Sequence, residues 1–139
     1  GTEKVAGFVG MATALKKNIC ELECNDKYLK DLENYFWDQM NRTSLNFIAN
    51  GSHNHLPGNI NISFRATDGE MILHRLDLMG IAVSTGSACN SSEIETSHVL
   101  KAICVPDEYV TGTIRITLGK ENTKKDIDTI VKSINRILS

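Results

Sequence analysis

The sequence lacks any apolar run of the roughly 18 residues that a membrane-spanning helix needs. It also lacks an excess of positive charge, because 15 Lys and Arg face 17 Asp and Glu, for a net charge of -2. Nucleic acids and anionic membranes select clustered positive charge, so neither is expected as a partner. The first residues do not follow the pattern of a signal peptide, which favours a cytoplasmic location.

The four cysteines are even in number but irregularly placed, at Cys20, Cys24, Cys89 and Cys104. A disulfide scaffold is usually shorter and denser in cysteine, so a reducing compartment is expected. The Cys20–Cys24 spacing has no second pair of ligands at a suitable distance in sequence, and no metal site is predicted. Cys104 follows apolar residues at helical spacing and is predicted to lie in the core. His53 and His55 flank a turn residue and are expected to lie in solvent.

With 41% hydrophobic residues, the 139 residues fit one globular domain spanning 1–139. Apolar residues at helical spacing predict five helices, over 5–15, 29–40, 69–79, 97–103 and from Thr123 onward. Alternating or β-branched runs predict four strands, at 45–49, 59–64, 81–83 and 113–118. We therefore predict an α+β fold, in which a small mixed β-sheet is covered by helices in two layers.

The stretch "STGSACNSSE", residues 84–93, places Cys89 among small polar residues. Such residues favour turns and do not anchor a segment in a core, so a movable loop is predicted. A thiolate on such a loop is a nucleophile that can take up a group in one place and release it in another. The alternative is that Cys89 is a small, half-buried apolar residue.

Four stretches, in the same order, resemble the cysteine desulfurases of the NifS/IscS type. The segment "GIAVSTGSACNSSEIETSHVLKAI" is similar to the family's active-site cysteine segment. The other three are "GTEKVAGFVG", "HLPGNINISF" and "TGTIRITLGKENTKKDID", so the resemblance covers nearly the whole chain. It implies the small domain of a fold-type-I enzyme that uses pyridoxal 5′-phosphate (PLP).

The resemblance also implies what this chain does not contain. Family members carry a large domain, N-terminal to this region, whose lysine binds PLP covalently. That lysine usually follows a histidine, and no lysine here does. We therefore expect this chain to be a C-terminal domain that is inactive by itself and that needs its own large domain and a homodimer.

Three residues acquire roles through the resemblance. Cys89 matches the nucleophile that takes sulfur from L-cysteine, leaving L-alanine and an enzyme persulfide. Arg115 matches the arginine that holds the substrate carboxylate; it alternates with Ile114 and Ile116, so it should face away from them. Thr2 matches a threonine that reaches the PLP phosphate of the other subunit. The simpler alternative for Arg115 is an exposed arginine on a strand, and for Thr2 it is an ordinary helix cap.

Other functions remain open at this level. The surface near Cys89 could be an interaction module for a sulfur acceptor or an iron–sulfur scaffold protein. A selenocysteine lyase would share nearly all of these features. A thiol enzyme independent of PLP would need a compact cradle around the thiol, and the run from 84 to 97 is too long and polar for that. Lys4 and Lys120 also depart from the family's usual Asn and Arg.

Overall fold

The alternation of apolar and polar residues on two strands gives the protein one sheet with an apolar face. The computed structural model describes residues 4–52, 54–85 and 97–139. In chain order the elements are α1 (Val5–Met40), β1 (Phe47–Ala49), β2 (Asn59–Phe64), α2 (Gly69–Leu78), β3 (Ser84–Thr85), α3 (His98–Ala102), α4 (Asp107–Val110), β4 (Thr113–Thr117) and α5 (Lys124–Leu138). No helix within these ranges is long and apolar enough to cross a membrane.

The four described strands lie in the order β1-β2-β4-β3, and every neighbouring pair is antiparallel. The α+β prediction is confirmed, but its mixed sheet is corrected to an antiparallel one. A strand–helix–strand unit such as β2-α2-β3 normally leaves its two strands parallel and adjacent. Here β4 lies between them and pairs antiparallel with both, so no parallel pair forms among these strands.

The core lies between one face of this sheet and the helices. On β2 and β4 the isoleucines alternate with polar residues, so the apolar side chains share one face. Helices α1, α2 and α5 cover that face. The fully buried side chains of this core are Leu32, Phe36, Met40, Ile60, Ile62, Phe64, Ile72, Leu76, Ile114, Ile127 and Ile134.

The N-terminal helix differs from its prediction. Residues 5–15 and 29–40 belong to one helix of 36 residues, with no break at Asn25 and Asp26. Neither residue is a strong helix breaker, since each costs about 0.7 kcal/mol at most relative to alanine. Asp26 also accepts a hydrogen bond from Lys30 one turn later, at 2.7 Å, which supports the helix where a break was expected.

The two halves of α1 have different surroundings. The C-terminal half is packed in the core, whereas the apolar side chains of the N-terminal half are exposed. We call these exposed side chains the α1 stripe: Val5, Phe8, Val9, Met11, Leu15, Ile19 and Leu22. The amphipathic pattern predicted a helix here correctly, but the described part of the chain does not cover its apolar face.

The remaining boundaries follow local chemistry. Strand β3 begins at Ser84, three residues beyond the predicted start, and α4 was not predicted. Helix α5 begins with the predicted capping box, in which Thr123 and Asp126 bond to each other's backbone N–H groups. Gly112 has to be glycine because a Cβ there would meet the carbonyl oxygen of Phe64 at 2.2 Å.

Candidate functional site

A row of polar side chains crosses the sheet on the face opposite the core. Arg115 on β4 is the register partner of Asn61 on β2 and of Ser84 on β3. Asn50 follows β1 directly, and its backbone N–H donates to the Asn61 carbonyl at 2.9 Å. Register partners point to the same face of a sheet, so these residues form one row. We call Asn50, Asn61, Arg115 and Ser84 the polar row.

Arg115 is exposed, while its neighbours Ile114 and Ile116 are buried. The prediction that it faces away from them is therefore confirmed. Its Nη2 lies 3.4 Å from the Ser84 hydroxyl oxygen, and no carboxylate among residues 4–52, 54–85 and 97–139 pairs with it. A guanidinium with this freedom can bind a carboxylate through two parallel hydrogen bonds.

Next to the row, a chain of hydrogen bonds joins three strands. The Asn50 side-chain nitrogen donates to Asn61 Oδ1 and to Ser63 Oγ, both at 2.7 Å. The Ser63 hydroxyl lies 2.6 Å from the Thr113 hydroxyl, which donates to the Val110 carbonyl at 2.9 Å. Ser63 and Thr113 are buried, and the network gives both hydroxyl groups the hydrogen-bond partners that burial requires. It also fixes the orientation of the side chains that take part in it.

Strand β3 is fixed at the end from which the Cys89 segment starts. Thr85 is buried, and its hydroxyl donates to Glu70 Oε1 at 2.6 Å. Glu70 lies in the first turn of α2, where Asp68 caps the helix through the Glu70 backbone N–H. Residues 86–96, which include Cys89, lie outside the described residues. Thr2 and His53 are outside them as well.

A second polar cluster was not found from the sequence. Glu33 on α1 is buried, and its carboxylate accepts from His55 Nε2 at 2.6 Å and from the Gly58 backbone N–H at 3.0 Å. His55 Nδ1 lies 2.7 Å from the Ser52 carbonyl. The Glu33 carboxylate, and then the Ser52 carbonyl, raise the pKa of His55. His55 is exposed, as expected, but its imidazole also has two partners, through which it joins the β1–β2 connection to α1.

The three described cysteines, Cys20, Cys24 and Cys104, are all free and exposed. The predicted burial of Cys104 is wrong. Helix α3 ends at Ala102, and Cys104 has a left-handed backbone with φ of 57°, so the helical spacing no longer applies at this residue. Val105 is buried there instead. No group of three or more possible metal ligands occurs in the described residues.

The chain also forms a groove of about 460 Å³ between α1 and the start of α5. Tyr28, Asp31, Leu32, Asn34, Tyr35, Asp38 and Lys124 line it. Tyr35 donates to Asp128 at 2.8 Å, and this acceptor raises the pKa of Tyr35. Arg115, the one predicted site residue that the structure describes, does not line this groove, so the polar row is the better candidate site.

Comparisons with known proteins match nearly the whole chain to one family. The family model described as aminotransferase class-V matches residues 1–130. A cysteine desulfurase IscS of Dictyoglomus turgidum is 45% identical over 139 residues, covering 99% of this chain and 35% of the relative. That of Methanosarcina thermophila is 36% identical, covering 99% and 34%. A solved NifS-like protein has a TM-score of 0.79 at 28% identity, covering 95% and 33%. The chain thus spans about a third of these relatives.

Proposed function

The chain belongs to the aminotransferase class-V family, and on this premise we propose that it is the C-terminal small domain of a PLP-dependent cysteine desulfurase. The observation that carries the proposal is Arg115. Its guanidinium makes no ion pair with a carboxylate within the described part of the chain, and β4 lies next to the end of β3. The Cys89 segment starts at this strand end.

Arg115 would hold the carboxylate of L-cysteine. Two parallel N–H···O bonds fix both the position and the plane of a carboxylate, which a single ammonium cannot do. Ser84 supports the guanidinium from the neighbouring strand. The amino acid would then be oriented with its thiol directed away from the sheet and accessible to an incoming nucleophile.

Cys89 would be that nucleophile. It follows Thr85 by four residues, so it lies within about 14 Å of a strand end that is fixed beside Arg115. The Cys89 thiolate would attack the sulfur of L-cysteine, forming an S–S bond as the bond from carbon to sulfur breaks. PLP, when bound, supplies the electron sink for that bond cleavage. The products would be L-alanine and a Cys89 persulfide, ready for a sulfur acceptor such as an iron–sulfur scaffold protein.

The described residues fit the substrate's carboxylate but not the attachment of PLP. All described lysines are exposed, and none lies on a strand of the polar face. The covalent attachment of PLP would therefore come from a large domain that corresponds to the rest of the relatives' length. Thr2 would reach the PLP phosphate of the second subunit in a homodimer.

The α1 stripe supports the same division into domains. Seven large apolar side chains on one helix would be an unusual exposed surface for a free-standing protein. The relatives are about three times as long as the matched region, so there is enough polypeptide to cover the stripe. We therefore assign the stripe to the contact with the large domain.

The function is tested by Arg115→Lys in the full-length enzyme, with Arg136→Lys on the exposed end of α5 as the matched control. Loss of a bidentate carboxylate pair should lower kcat/KM for L-cysteine by about tenfold or more, since a charged hydrogen bond contributes about 1.5–3 kcal/mol. The control should leave kcat/KM unchanged. An Arg115→Lys enzyme with unaltered kinetics would contradict the proposal.

A further inference from the structure

We propose that the Asn61 carboxamide is a second ligand of the substrate carboxylate, beside Arg115, and that Asn50 is the positioning residue that holds it in the right orientation. This inference rests on the proposed function, because it names a further group in the same site. It starts from the direction in which the hydrogen bonds of the neighbouring network have to run.

The network has only one consistent direction. The Thr113 hydroxyl donates to the Val110 carbonyl, which cannot donate in return. Thr113 therefore accepts from the Ser63 hydroxyl. Because the Ser63 hydroxyl uses its only hydrogen in the bond to Thr113, its oxygen must accept from the Asn50 side chain. The atom of Asn50 that faces Ser63 is therefore the amide nitrogen.

The same reasoning fixes Asn61. The Asn50 nitrogen that donates to Ser63 also lies 2.7 Å from the Asn61 side chain, so the atom of Asn61 at this contact must be its oxygen. The nitrogen of Asn61 is then on the other arm of its planar amide. No hydrogen-bond partner for this nitrogen occurs within 4–52, 54–85 and 97–139.

The register brings this N–H₂ group next to Arg115. Asn61 and Arg115 are direct partners on antiparallel strands, so their Cβ atoms are about 4.5–5.5 Å apart and their side chains share the polar face. Asn61 is half-buried, whereas Arg115 is exposed. A carboxylate bound by Arg115 would therefore meet an oriented neutral donor on the side toward β2.

A carboxylate has about four lone-pair sites, of which a bidentate arginine uses two. A preoriented amide N–H can occupy a third without adding charge. Such a donor would favour a free carboxylate over a carboxamide, because a carboxamide ligand would place its own N–H group against the N–H donors of Arg115 and Asn61. The site is thus specific for amino acids with a free α-carboxylate.

The test uses the full-length enzyme and inhibition by two ligands, L-alanine and L-alaninamide, which lacks the carboxylate. Asn61→Ala should raise the KM for L-cysteine and the Ki for L-alanine by about tenfold, the loss of one hydrogen bond to a charged group. It should leave kcat nearly unchanged, and the Ki for L-alaninamide unchanged. Asn59→Ala, on the same strand and face, is the matched control and should alter none of these values.

Two further variants separate binding from folding. Asn61→Ser has no amide nitrogen and is one bond shorter than asparagine, so it should give the same loss of binding as alanine; an unchanged melting temperature would show that this loss does not come from unfolding. Asn50→Ala frees the Asn61 amide to rotate and should raise the Ki for L-alanine by less than Asn61→Ala does. An unchanged Ki in Asn50→Ala overturns the positioning role.

The failures of the inference and of the function are distinguishable. If Arg115→Lys weakens L-alanine binding but Asn61→Ala and Asn61→Ser do not, Asn61 is no ligand and the proposed function stands. If none of the three variants changes the Ki for L-alanine, the polar row does not bind the carboxylate, and both the inference and the role of Arg115 are overturned.

Discussion

Replacing two side chains of the α1 stripe should destabilise the full-length enzyme but not the isolated chain. Leu15 and Ile19 are one helical turn apart and are 58% and 63% exposed. Burying a whole side chain of this type contributes about 1.5–3 kcal/mol, so covering the exposed part contributes about 1–2 kcal/mol for each. The double variant with alanine at both positions should therefore lose about 2–4 kcal/mol in the full-length enzyme.

In the isolated chain the same variant should change the free energy of unfolding by about 0.5 kcal/mol or less, as surface substitutions usually do. Alanine is also the best helix former, so helix propensity cannot produce a loss. The assay is urea unfolding followed by circular dichroism, with Leu32→Ala as a control that should destabilise both forms because Leu32 is buried. Equal effects of the double variant in both forms would refute the docking of a large domain on the stripe.

Two further predictions concern stability. The raised pKa of His55 means that the folded state favours the charged imidazole. The resulting stabilisation is full below the pKa of the unfolded state, about 6.5, and is lost as the pH rises through the pKa of the folded state. The urea midpoint of the chain should therefore contain a component that falls with pH, and His55→Gln should remove it; an unaltered pH profile would contradict the contact between His55 and Glu33. Thr123→Ala should cost about 1 kcal/mol through loss of the capping box, whereas Thr129→Ala inside α5 should be neutral; equal urea midpoints for the two variants would contradict the capping role.

Local patterns predicted the elements whose sequence has one period and a clear end. The alternation of β2 gave its bounds, and α5 was found through its isoleucine stripe and the Thr123 cap. The same reasoning failed for α1, because Asn25 and Asp26 resemble a boundary but cost little inside a helix. It failed for Cys104, because the spacing of a helix was extended past its last turn.

The candidate site was predicted only in part. The exposure of Arg115 followed from alternation within its own strand. Its neighbours Asn61 and Ser84 depend on strand order and register, which bring together residues 31 and 54 positions away in the chain. The contact between Glu33 and His55 joins a helix to a turn, and neither residue has a local pattern that would reveal its partner.

The central claim is that Cys89 carries the sulfur, and the most direct measurement locates it. The full-length enzyme, after reaction with L-cysteine, would be digested and its cysteine peptides analysed by mass spectrometry. The account predicts the mass of one added sulfur atom on the Cys89 peptide, which Cys89→Ser abolishes and Cys104→Ser does not. Persulfide on Cys20, Cys24 or Cys104 instead, or L-alanine formation that persists in Cys89→Ser, would contradict it.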